Sequence, residues 1–65
     1  MWTEYESEGT RYWVFTSEVS TIPPAAIRQS GPRWYLWTAI KGGRSHERSL
    51  LAAKQAAEQW IQEHA

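Results

Sequence analysis

Cysteine, aspartate and asparagine are all missing from this 65-residue chain, and each absence excludes something. Without Cys there is no disulfide to staple a small fold and no thiolate to hold a metal. Without Asp and Asn, turns lose the residues that, after Gly, best tolerate a left-handed backbone, so Gly9, Gly31, Gly42, Gly43 and the three prolines must serve them. Acid–base chemistry shrinks to seven Glu and two His, an inventory from which no catalytic residue, cofactor or metal site is expected. Neither sign of charge is in excess, since the formal net charge is zero, and a partner held by bulk charge is disfavoured. Apolar runs stay far below the roughly 20 residues that cross a bilayer. Met1-Trp2-Thr3-Glu4 also lacks the basic-then-apolar plan of a signal peptide. A cytoplasmic protein with no membrane partner is the expectation.

What the chain has instead is aromatics: five Trp, three Tyr and one Phe. Each buries roughly 150 to 250 Å² when covered, the dense stabilisation that a single domain over residues 1–65 needs when conformational entropy almost cancels the gain from a small core. The charges, balanced in sum, are uneven in order. Glu4, Glu6, Glu8 and Glu18 face only Arg11 in the first 19 residues, whereas Arg28, Arg33, Lys41, Arg44, Arg48 and Lys54 face only Glu47 in residues 20–54.

Punctuation and periodicity divide the chain. Residues 2–7 alternate with little apolar content, as in a solvated edge strand whose glutamates discourage edge pairing. Glu8-Gly9-Thr10 is a turn signal, and residues 11–19 resume the alternation, which makes a hairpin. Residues 20–32 lose all apolar period around Pro23-Pro24 and read as a long loop with at most one helical turn, fastened by Ile22 and Ile27. Between Gly31-Pro32 and Gly42-Gly43, residues 33–41 read as the central strand. Helix is expected over about 46–64, where Leu50, Ala53, Ala57, Trp60, Ile61 and His64 recur at helical spacing and Ser45 or Ser49 is the N-cap. The resulting fold class is α+β, β-β-β-α: a three-stranded antiparallel sheet with one C-terminal helix packed on one face. Ala53, Ala56 and Ala57 would let that helix approach the sheet closely.

The central strand carries large apolar groups on both faces, and one helix covers one face. Trp34, Leu36 and Ile40, flanked by no charge, form the expected core row. Tyr35 and Trp37, bracketed by Arg33 and Lys41, form the row left over, beside Trp13 and with Arg44 on the basic loop edge. Aromatic anchors with Arg at the rim are the chemistry of binding hot spots, so Trp13, Arg33, Tyr35, Trp37, Lys41 and Arg44 are the candidate partner-binding residues. The partner expected first is a protein. A nucleic acid, with rings stacking on bases and cations on phosphates, is the alternative, and a homodimer through the uncovered face is a third way to cover it. Ser45-His46-Glu47 contains triad residue types, but a triad is recognised by geometry and not by adjacency. His46, Glu63 and His64 are the residue types of a metal site without a ligand spacing.

Three resemblances follow from these residues. Ser49, Ala53, Lys54 and Ala57 match the last-helix motif of double-stranded-RNA-binding domains, which implies phosphate contact from that helix. Three strands followed by a helix resemble the arm-type DNA-binding domains of integrases and the plant GCC-box domain, which implies a sheet that reads the major groove. The Trp34-Tyr35-Leu36-Trp37 strand, the glycine turn and the Ser-Leu-rich helix are similar to small accessory proteins of phages and mobile elements, which implies inhibition by occluding a larger partner.

Overall fold

The computed structural model describes residues 1–17 and 20–64. Five strands, not three, precede the helix: β1 (Trp2–Ser7), β2 (Thr10–Ser17), β3 (Ser20–Gly31), β4 (Trp34–Ala39) and β5 (Arg44–Glu47), then α1 (Leu50–Glu63). The strands form one antiparallel meander in chain order, so the class is α+β with one C-terminal helix. Among the described residues, no helix is long and apolar enough to cross a membrane.

The β1–β2 hairpin forms as its alternation requires, with Trp2 opposite Phe15 and Ser7 opposite Thr10. Its two turn residues both take positive φ, Glu8 at 52° and Gly9 at 79°, the geometry of a two-residue turn whose twist matches the strands it joins. Asn is the usual first residue of such a turn. In its absence Glu8 bears the steric cost of a left-handed backbone.

The segment read as a loop is instead β3, the central strand. Pro23 and Pro24 argue against a strand because they cannot donate to a ladder. They fall where the β2–β3 register shifts between Phe15 and Ser17, and the β3–β4 ladder begins only at Ala25 opposite Ala39. Pro24 still contributes its carbonyl, which accepts from the Ile40 N–H at 3.1 Å. From Ala25 to Arg28 the strand pairs on both sides. Of the two isoleucines expected to fasten this segment, Ile27 is fully buried. The side chain of Ile22, like residues 18 and 19 at the expected end of the second strand, lies outside the described set.

The expected helix start is also corrected. Arg44–Glu47 pairs with β4 as a short polar edge strand, Tyr35 opposite Glu47 and Thr38 opposite Arg44. Helix begins at Leu50 with Ser49 as N-cap, its hydroxyl accepting from the Ala52 N–H at 3.1 Å. A four-residue run of Arg, Ser, His and Glu has no apolar period, so nothing in it distinguishes an exposed edge strand from a first helical turn.

The helix lies over β3, β4 and β5. Ala53 and Ala57 are completely buried against the sheet, and their lack of bulk leaves room for Trp13, Ile27 and Trp37 beneath. Trp2 reaches over from β1, packs edge-on against Phe15 with ring centres 5.1 Å apart, and donates its indole N–H to Glu58 of the helix at 3.0 Å. At the other end Trp60 is held between His64, stacked on it at 3.6 Å, and the β4–β5 turn. A Cβ on Gly43 would stand 2.5 Å from that indole, so only glycine fits there.

Candidate functional site

Register decides which side chains share a face. Trp13 pairs with Ile27 and Ile27 with Trp37, while Phe15 pairs with Ala25 and Ala25 with Ala39. These are the residues under the helix. The expectation for β4 is therefore inverted: Trp37 is 6% exposed and Trp13 4%, with Tyr35 half-buried beside them, whereas Trp34 is 43% exposed and Ile40 61%. Arg33 and Lys41 misled because they lie in the turns beyond the strand ends, where alternation no longer assigns a face. Ile40 lies past the end of β4 for the same reason.

Of the candidate partner-binding residues, Trp13 and Trp37 are withdrawn into the core, and Tyr35 packs edge-on against Trp13 at 5.7 Å on the same covered side. Arg33 is exposed in the β3–β4 turn. Lys41 is exposed in the β4–β5 turn, where its ammonium donates to the His64 carbonyl at the helix end. Only Arg44 stands on the opposite, open face, opposite Thr38.

That open face has its own composition. One row crosses all five strands as Tyr5, Tyr12, Arg28, Leu36 and His46, and the next as Thr3, Val14, Ala26, Thr38 and Arg44. Tyr12, Arg28, Leu36, Thr38 and Arg44 line a shallow depression of about 390 Å³ between the rows. Toward the β3–β4 turn, Trp34 extends the surface. The Arg48 guanidinium lies over its ring at 5.3 Å and the His46 imidazole meets it edge-on at 6.3 Å. A register shift between Gln29 and Gly31 sets Ser30 beside them, and Ser30, Trp34 and His46 line an open hollow.

Charge separates with the faces. Glu4 and Glu6 share the helix side with Trp13 and Arg11, and Glu47 shares it with Tyr35. Arg11 on that side is paired with Glu4 at 3.0 Å, and Glu47 accepts the indole N–H of Trp37 at 3.4 Å. The open face carries Arg28, Arg44, Arg48 and His46 and, among the described residues, no carboxylate. The zero net charge thus hides a basic face and an acidic side.

The alternation also separates the triad residue types. Ser45 lies on the helix side with its partner Trp37, and His46 on the open side with Leu36. His64 caps the helix on the far side of the sheet from His46, so the expected metal-type residues do not converge either.

Tyr5, Tyr12, Arg28, Trp34, Leu36, His46 and Arg48 are the residues that sequence reasoning missed. One signal was present: once Ala25-Ala26-Ile27-Arg28 is read as a strand, Arg28 marks its even row as solvent-facing, and pairing carries that assignment to Tyr12 and Leu36. The chain has no match among protein-family models, curated proteins or solved structures. Function therefore rests on the site itself.

Proposed function

We propose that this protein is a non-enzymatic binding module, that its contact surface is the open face of the sheet, and that its partner is a nucleic acid. One observation carries the reading: three aromatic rings, Tyr5, Tyr12 and Trp34, share that face with Arg28, Arg44 and Arg48 and with no described carboxylate. Rings offer stacking platforms that every base satisfies, and guanidiniums offer phosphate partners. An even mixture of signs would favour neither.

Salt titration tests it. Three arginines on phosphates predict that log affinity falls against log salt with a slope of about −2 on single strands, from roughly 0.7 per contact. The double variant Arg28→Glu, Arg44→Glu is expected to abolish binding while the protein stays folded, since both side chains are exposed. Binding that ignores salt and this variant contradicts the reading.

A second reading has its own support. Val14 and Leu36 are half-buried apolar groups at the centre of the same face, with arginine and aromatics around them, which is the make-up of a protein hot spot. In that case the module occludes an acidic protein surface, as the similarity to mobile-element accessory proteins implies. Salt then weakens binding far less steeply than counterion release from a nucleic acid does.

A further inference from the structure

Resting on the nucleic-acid reading, we infer that the open face binds single strands in preference to duplexes, and that Trp34 is a base-stacking site served by Ser30, His46 and Arg48.

Width excludes the duplex groove. Five strands span four gaps of about 4.8 Å, or about 19 Å from β1 to β5, whereas the major groove of B-DNA is about 12 Å wide. A three-stranded sheet, about 10 Å across, would enter it; adding β3 and β5 makes the face too broad. A duplex laid on the surface without entering would offer its phosphates to the arginines, but its bases would be stacked on one another and their faces unavailable to Tyr5, Tyr12 or Trp34. A single strand offers both.

Trp34 is the strongest stacking candidate. A tryptophan that is 43% exposed is a large apolar residue left open on a small protein. Its surroundings are polar in a way that suits a base and not a packed side chain. Arg48 lies over the ring at 5.3 Å, His46 meets its edge at 6.3 Å, and Ser30 completes an open hollow of about 410 Å³. A base in that hollow would stack on the indole. The Ser30 hydroxyl and the His46 ring nitrogens would stand at its edge, and the Arg48 guanidinium, displaced from its place over the ring, would be available to a flanking phosphate. From there the row His46, Leu36, Arg28, Tyr12, Tyr5 gives a strand a path across the whole sheet, with a cation midway and two further rings at the far end.

The test is fluorescence anisotropy with labelled oligo(dT) of about ten nucleotides, within the usual range of single-strand site sizes. A mixed-sequence duplex of the same length and a poly-glutamate peptide are the comparison probes. Oligo(dT) is expected to bind tightest. Trp34→Ala should weaken it about tenfold or more, and Trp34→Phe should keep most of the affinity. Arg44→Gln should weaken the duplex and oligo(dT) alike and flatten the salt slope. Far-UV circular dichroism of each variant guards against loss of fold, and Trp34→Phe keeps the site testable if Trp34→Ala is unstable. If duplex and oligo(dT) bind equally, with salt dependence, and Trp34→Ala changes neither, the single-strand inference is overturned while the nucleic-acid reading stands. If poly-glutamate binds as tightly as oligo(dT), or neither nucleic acid binds, the underlying reading falls with it.

Discussion

One side of the sheet holds Trp13, Ile27 and Trp37 beneath a helix, and the other leaves Tyr5, Tyr12 and Trp34 open among arginines. Both sides are rich in aromatic area, so area alone does not separate the core from the open face. The polar partner does. On the covered side the indole N–H groups of Trp2 and Trp37 donate to Glu58 and Glu47, and the nearby Arg11 is neutralised by Glu4. On the open side Trp34 meets Arg48 and His46, and Tyr12 stands opposite Arg28. Carboxylates accept from the indoles of Trp2 and Trp37 on the covered side, where the Trp60 N–H is buried without an acceptor, and cations gather where rings face outward.

The sharpest way to break this division is to remove one tryptophan from each side of β4. Trp37→Ala empties the space beside Ile27 in the core under the helix and is expected to cost about 3 to 5 kcal/mol, enough to unfold so small a domain, as urea titration at 25 °C would reveal. Trp34→Ala, three residues earlier on the opposite face, is expected to cost about 1 kcal/mol and to leave the circular dichroism spectrum in place. Comparable losses from the two variants would mean that the open face is also core.

A second test concerns the turn that holds the covered side shut. Gly43→Ala drives a methyl group into the Trp60 indole, and about 1 to 3 kcal/mol of destabilisation is expected from that overpacking. Gly42→Ala changes the neighbouring residue, whose φ is 100° but whose Cβ would meet nothing within 4 Å. Its cost is pure backbone strain of about 1 to 2 kcal/mol. Thermal melts of the pair, combined with Trp60→Leu, separate the two causes: Trp60→Leu should relieve Gly43→Ala and leave Gly42→Ala unrelieved.

The smallest expected effect has the opposite sign. Glu8 holds a φ of 52° in the β1–β2 turn, and Glu8→Asn supplies the residue that this turn type prefers. A gain of about 0.5 to 1 kcal/mol is expected, raising the melting temperature by roughly 2 to 8 °C for a domain of this size. No change in melting temperature would mean that the glutamate carries no strain.

The parts of the fold legible in the sequence were those whose local and tertiary preferences agree. The β1–β2 hairpin, the β4 run and the alanine-lined helix needed only alternation, a glycine turn and a 3.6-residue period. β3 was hidden because Pro23-Pro24 imposes a loop signal on residues whose neighbours are paired. β5 was hidden because an exposed polar edge strand has no apolar pattern to detect. Those two omissions also concealed the site. With β3 absent, Arg28 could not mark the open face, and the faces of β4 were assigned from Arg33 and Lys41, two turn residues that belong to neither. Arg44 alone of the six expected contact residues stands on the open face, whereas Arg33 and Lys41 border the sheet and Trp13, Tyr35 and Trp37 support it from the other side.

The central claim is that one face of the sheet is core and the opposite face binds a nucleic acid strand. Chemical-shift mapping of the isotopically labelled protein against oligo(dT), repeated at low and high salt, tests it most directly. Perturbations are expected at Tyr5, Tyr12, Arg28, Trp34, Leu36, Arg44 and His46, fading together as salt is raised, with the exposed outer surface of the helix around Gln55, Gln59 and Gln62 unmoved. Shifts concentrated on that helix surface, or none anywhere at low salt, would contradict it.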